Sequence, residues 1–332
     1  MAELKAQFNY DGRLTLEENL PLDSPLVVYV EPSSFCNLEC TFCPQHTGRG
    51  EFPTFNMSLK TFQKTLDDIS TFNTKPSLMR FCGIGDPLFN KEISEIIKMV
   101  SASNVVHRTE VITNGIMLND ERINTFSEHL GRIIISVEGL SESDYSTFSL
   151  RKINFDKFVA NIKKFYEIKD RKCKIHVKIH NAAVKTTERK KRFFEIFESI
   201  CDEIFIENLV DLWPEKKSNL GVDAGHRFES SPPPEAKVCP QIFKSMQVNA
   251  DGRVLPCCVD WKSMNIIGDI KQNTLKDFWH GGTLKELQKK HLLGQRDTFS
   301  PCKGCKHNEF SEKDNLDEKA DMIYEKMFNK HQ

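Results

Sequence analysis

Three thiols within eight residues are the first feature of the chain with chemistry in it: Cys36-Asn37-Leu38-Glu39-Cys40-Thr41-Phe42-Cys43. On one loop they can wrap a single soft metal centre. Three is the informative number, because a structural zinc or a closed iron-sulfur cube takes four protein ligands. A cube held by three thiolates keeps one iron open, and an open iron can chelate an outside ligand through an amine and a carboxylate and inject an electron into it. Zinc completed by His46, or three buried fillers, are the other readings these residues allow. A second set lies in the last third. Cys239 and Cys257 have seventeen residues between them, and forty-four more lead to a chelating Cys302-Lys303-Gly304-Cys305. Four ligands make a closed site, which suits structural zinc or a fully ligated cluster. Cys258, beside Cys257, can exchange roles with it. Cys82, Cys173 and Cys201 stand alone and read as small buried hydrophobes, with Cys82 near the mouth of the fold as a hydrogen-atom donor to test.

The elements that must position these residues follow from periodicity. Six short apolar or β-branched runs read as strands: Leu26 to Val30, Leu78 to Cys82, Arg108 to Thr113, Ile133 to Val137, Lys174 to Ile179 and Glu203 to Ile206. Helical stripes separate them, such as Leu59, Phe62, Leu66 and Ile69, or Phe155, Phe158, Ile162 and Phe165. Six β/α units with right-handed crossovers give an α/β fold, a partial barrel or a wound open sheet, with ligands at the carboxyl ends of the strands. The cysteine loop directly follows the first strand. A Gly- and Pro-rich break over residues 213–236 reads as a linker. Beyond it Ser245 to Val248 and Val254 to Leu255 flank Asn249-Ala250-Asp251-Gly252, a hairpin turn, and a helical stretch covers Leu275 to Leu293. The expected organisation is an N-terminal extension (1–25), the barrel (26–212), the linker (213–236), a small C-terminal domain of hairpin plus helix (237–310) and a charged tail (311–332).

The order Cys-x3-Cys-x-Phe-Cys resembles the signature of the radical S-adenosylmethionine (radical SAM) enzymes. The resemblance implies a partial (β/α)6 barrel in which Cys36, Cys40 and Cys43 ligate three irons of a [4Fe-4S] cluster and SAM binds the fourth. Reductive cleavage of SAM then gives a 5'-deoxyadenosyl radical. It also places Phe42 by the adenine, and it makes Gly83-Ile84-Gly85-Asp86-Pro87 the glycine-rich stretch whose backbone receives the SAM amino group, with Asp86 where glutamate is usual. Asn114 is expected by the ribose and methionine, Ser136 and Glu138 as ribose partners, and Arg151 at the SAM carboxylate. The second cysteine set resembles the shortened SPASM or twitch domain, with one auxiliary [4Fe-4S] cluster on Cys239, Cys257, Cys302 and Cys305. Its spacing is most similar to the aminocyclitol dehydrogenase branch, where that cluster accepts an electron.

The resulting expectation is an oxidoreductase acting on a small hydroxylated metabolite (an aminocyclitol, sugar or nucleotide sugar), with a flavodoxin or ferredoxin as reductant. Glu31, Arg80, His180, Asn181, Glu207 and Trp213 are possible substrate contacts at strand ends, and Glu207 or His180 is the expected general base. A peptide maturase installing a thioether, a crosslink or an epimerised centre is the alternative within the family, and a zinc-stabilised binding protein the alternative outside it. Composition excludes other classes. With Lys+Arg 46 against Asp+Glu 47 and a net charge of -1, there is no overall field to recruit nucleic acid or an anionic membrane. No apolar run approaches a membrane span. Eleven cysteines, an odd number, are not a disulfide framework, and a cytoplasmic location is expected.

Overall fold

The computed structural model describes residues 1–6, 14–212, 220, 236–310 and 314–329. Its strands are β1 (Glu3–Leu4), β2 (Val27–Val30), β3 (Leu78–Phe81), β4 (Thr109–Thr113), β5 (Arg132–Val137), β6 (Lys174–His180), β7 (Glu203–Glu207), β8 (Ser245–Val248), β9 (Arg253–Leu255) and β10 (Gly268–Asp269). They form one sheet in the order β1-β7-β6-β5-β4-β3-β2-β8-β9-β10. The six runs expected from sequence are β2 to β7, parallel throughout, in the arrangement of a partial barrel.

Five of the helices between them start on a side-chain cap. Ser58, Asn119, Ser141, Asn154 and Thr186 each accept the backbone N–H three residues ahead. Their apolar faces pack on the convex side of the sheet. Phe62 of the helix Leu59–Ser70 meets Phe81 of β3 with ring centroids 5.8 Å apart. Side chains alternate along a strand, so Arg80 and Cys82 face the concave side. Register then aligns Tyr29, Arg80, Glu110 and Arg132 in one row across that inner face. Arg80 Nη2 donates to Glu110 Oε2 at 2.6 Å, and Arg132 donates to Glu203 Oε2 at 2.5 Å and lies 3.0 Å from His176 Nδ1. Charges this buried persist only when paired, and here they fill the floor of the barrel in place of apolar side chains.

Three features depart from expectation. The N-terminal extension is not separate, since β1 pairs with β7 and Lys5 reaches Glu203 at 3.2 Å. The C-terminal hairpin continues the barrel sheet: β8 pairs in parallel with β2 along its whole length, and β9 and β10 follow antiparallel. The stretch from Leu275 to Leu293 is two helices, Leu275–Trp279 and Gly282–Leu292. The break falls at Gly281, where an added Cβ would lie 2.7 Å from the Asp277 carbonyl oxygen.

In the tail, Leu316 and Ile323 are fully buried, and the Asp317 carboxylate accepts the Val238 N–H at 2.9 Å. Of the expected linker, residues 213–219 and 221–235 lie outside the described residues. Among the described residues no helix is long and apolar enough to cross a membrane.

Candidate active site

The cysteine loop leaves β2 and is pinned on both flanks. Ser34 N–H donates to Phe55 O at 3.0 Å, while the Glu39 and Thr41 N–H groups donate to Ser149 O and Phe148 O, each at 3.0 Å. Gly85, on the loop after β3, packs against the start of this loop so closely that a Cβ would lie 2.4 Å from Phe35 O. Next to it Asp86 N–H donates to that same oxygen at 2.8 Å. The Asp86 carboxylate accepts from Leu88 N (2.9 Å), Asn114 N (2.7 Å) and Thr113 Oγ1 (2.9 Å). It thus knots the loops after β3 and β4 together, and an acid one methylene shorter than glutamate reaches all three donors. Asn114 Nδ2 donates to Asn37 Oδ1 at 2.8 Å and stands 3.8 Å from Cys36 Sγ. Gly83 lies against Glu31, whose carboxylate accepts Ile84 N at 2.9 Å and Ala250 N at 3.4 Å, tying the barrel to the hairpin turn.

Burial pushes the Cys36 thiol up to about 12 and Cys43 to about 11, with Asp86 adding to the first and Glu138 to the second. Three neutral thiols on one buried loop fit a soft iron centre, which would displace their protons on binding. Around them polar atoms stand without a hydrogen-bond partner among the described residues: Glu138 Oε2 and both ring nitrogens of His180. His180 is held between Phe42 and Phe148, with ring centroids at 5.0 and 5.1 Å, and its Nε2 is 3.5 Å from Glu138 Oε2. Burial lowers His180 to about 4 and raises Glu138 to about 8, a rise that Lys178 only partly offsets. Below this pair Lys178 Nζ donates to Glu207 Oε1 at 2.7 Å.

The structure therefore brings Cys36, Cys40, Cys43, Phe42, Gly83, Gly85, Asp86, Asn114, Glu138, His180 and Glu207 to one end of the barrel. Ser136 is half-buried near the end of β5, in register with Lys178. Arg151, expected at the SAM carboxylate, is turned instead to the outer side of the cysteine loop. Its side chain is 51% exposed and donates to Glu39 Oε1 at 2.8 Å. The backbone swings outward there, Leu150 sitting at φ 52°. Trp213 lies outside the described residues. Lys178 had not been singled out. In Lys174-Ile175-His176-Val177-Lys178-Ile179-His180 its parity with His176 and His180 was the signal that it faces inward.

Cys239, Cys257, Cys302 and Cys305 line a single cavity with Pro256, His291 and Phe299. Cys258 lines another, together with Cys43, Glu31, Gly83 and Trp261. Adjacent residues after β9 thus serve opposite sides, and Cys257 is the one that joins the set of four. Among the described residues no three His, Cys, Asp or Glu side chains converge on one bare metal ion. Four thiols around a shared cavity fit a cluster whose irons each take one sulfur.

Fold and donor sets agree with what the chain matches. Residues 30–182 match the Radical SAM superfamily and residues 239–306 an iron-sulfur cluster-binding domain, SPASM. The chain carries radical SAM plus SPASM domains, which imply SAM, a [4Fe-4S] cluster and auxiliary iron-sulfur as cofactors. It is similar to the tungsten-containing aldehyde ferredoxin oxidoreductase cofactor-modifying protein of Pyrococcus furiosus, 25% identical over 202 residues, 59% of this chain and 55% of that protein. The chain thus spans a little over half of that relative. A second likeness is to the S-adenosyl-L-methionine-dependent 2-deoxy-scyllo-inosamine dehydrogenase of Niallia circulans, 20% identical over 84% of this chain and 92% of that one. The crystal structure of BtrN in complex with AdoMet and 2-DOIA superposes with a TM-score of 0.56 at 17% identity, covering 85% of this chain and 93% of BtrN, a likeness of fold.

Proposed function

We propose that the protein oxidises a carbinol of a small hydroxylated metabolite, an aminocyclitol, sugar or nucleotide sugar, and delivers one of the two electrons to the auxiliary cluster. One observation carries this reading: Cys43 and Cys258 line the same cavity, while Cys257, next in the chain, lines the cavity of the four cysteines. A substrate beside the first site is then one residue step from the second. The likeness to a dehydrogenase over 92% of its length supports the same reaction class.

When bound, the open cluster and SAM supply a 5'-deoxyadenosyl radical that takes a hydrogen atom from the substrate carbon. Everything else falls to the chain. In this proposal Cys36, Cys40 and Cys43 hold the open cluster, and Cys239, Cys257, Cys302 and Cys305 hold the closed one. The backbone of the Gly83 to Asp86 stretch, packed against the cysteine loop, receives the SAM amino group, Asn114 and Ser136 flank the ligand, and Phe42 lies by the adenine. Glu138, neutral or nearly so, offers a hydroxyl hydrogen bond. Of the two expected bases, Glu207 is engaged by Lys178, whereas His180 is uncharged at neutral pH with an unbonded nitrogen. His180 therefore takes the proton from the substrate hydroxyl, its ring held in place between Phe42 and Phe148. The external electron comes from a flavodoxin or ferredoxin.

The test is a panel of carbinol-deuterated aminocyclitols, sugars and nucleotide sugars. Deuterium in 5'-deoxyadenosine together with a carbonyl product supports the reading. Deuterium transfer without oxidation, or a thioether or crosslink formed on a peptide, overturns it in favour of a different radical reaction.

A further inference from the structure

Charge along the chain is far from evenly spread. Residues 151–192 hold fifteen Lys or Arg against four Asp or Glu, so this stretch carries an excess of eleven positive charges on a chain whose net charge is -1. Twelve of the fifteen are exposed, six of them on the helices Phe155–Ile168 and Thr187–Phe197. The two helices are neighbours, Phe158 meeting Phe197 at 6.4 Å.

The basic flank ends at the cysteine loop. Ser149 and Phe148, just before it, accept the Glu39 and Thr41 N–H groups at 3.0 Å. Arg151 and Arg49 converge on Glu39 at 2.8 and 2.7 Å, between Cys36 and Cys40. Lys152, Lys157 and Lys190 are exposed and form no ion pair among the described residues. Nine of the fifteen are ion-paired, so the positive charge left for a partner is that of lysines such as these, and Lys152 follows directly on the backbone that wraps the redox loop.

We infer that this flank is the docking surface of a small acidic one-electron carrier protein, which passes its electron inward through segment 148–151 to the cysteine loop. The inference rests on the function proposed above and adds the place of entry. One electron leaves the reduced carrier and enters the site. No bond forms or breaks at the interface, and the carrier departs oxidised. Positive charge on one partner and negative on the other speeds encounter by ten- to a thousandfold and fixes orientation, with a steep dependence on salt. A nucleic acid would meet the same charge, but the flank offers no reason for it to lie against the cysteine loop.

The test uses the reconstituted full-length protein and a flavodoxin whose flavin fluorescence reports binding. Lys152→Glu, Lys157→Glu and Lys190→Glu are combined in one variant. Lys285→Glu with Lys289→Glu, on the auxiliary helix, is the control. The surface predicts that wild type and control bind oxidised flavodoxin, that salt weakens this binding, and that the triple variant loses at least about tenfold in affinity. Flavodoxin-driven 5'-deoxyadenosine formation should fall in parallel, with the dithionite-driven rate within about twofold of wild type. Undiminished binding by the triple variant, an equal loss with dithionite, or tighter binding of an oligonucleotide than of flavodoxin at equal salt overturns the inference. Absence of SAM cleavage in the wild type would instead defeat the functional reading, and the binding measurement would still judge the surface.

Discussion

A methyl group on Gly85 would lie 2.4 Å from Phe35 O and from the Ser34 carbonyl carbon, both backbone atoms that cannot step aside. Gly85→Ala must therefore push the cysteine loop away from Asn114, and iron retained after reconstitution should fall by about half while the auxiliary cluster stays. Gly282→Ala, where an added Cβ meets nothing within 4 Å, should retain full iron and gain up to about 1 kcal/mol of stability in a thermal melt. The adjacent cysteines give a second contrast. Cys257→Ser should cost the auxiliary cluster and Cys258→Ser should not, read as iron content and the spectrum of the reduced clusters. The cysteine sets and the loop Gly83-Ile84-Gly85-Asp86-Pro87 were legible from the sequence because spacing alone defines them. The direction in which Cys257 and Cys258 point was not, since two successive residues differ only in the face they present. Arg151 was misplaced for a related reason: a motif position gives no backbone turn, and the turn at Leu150 sends its side chain outward.

At the scale of elements, the buried row on the inner face makes a prediction about pH. Burial alone would raise the Glu203 carboxyl, but the hydrogen bond from His176 and the Arg132 guanidinium bring it from 4.5 down to about 2. A carboxyl depressed on folding adds stability above its unfolded value, and the contribution is lost as pH falls from about 4.5 towards 2. Arg132→Leu should lower unfolding stability at neutral pH by about 3 kcal/mol, and should flatten this acid limb in denaturant titrations. The β8 to β2 pairing predicts that a chain ending at residue 237 will not behave as a free barrel. Val27 to Val30 would become an open edge, and Trp279 Nε1 would no longer donate to Leu22 O, now at 3.0 Å. The expected outcome is aggregation on expression, checked by sedimentation of the soluble fraction. Strands β2 to β7 were readable because continuous apolar runs buried on one or both faces announce themselves. The β1 strand, two residues long, and the joining of the hairpin to β2 were not, because both are set by tertiary pairing rather than by local pattern.

Over the whole molecule, the near-neutral composition concealed a stretch, 151–192, with an excess of eleven positive charges that acids from other segments pair only in part, so net charge alone could not point to a partner. The same molecule holds two thiol sets on either side of the cavity that Cys43 and Cys258 share. That geometry is what makes an oxidation with an internal electron acceptor physically reasonable. The most direct test is iron and sulfide analysis after anaerobic reconstitution, paired with SAM cleavage under dithionite. The account predicts about eight irons per chain and release of 5'-deoxyadenosine, with about four irons and no cleavage in the Cys36→Ala, Cys40→Ala, Cys43→Ala variant. About four irons in the wild-type chain, or zinc in either site with no 5'-deoxyadenosine formed, would contradict it.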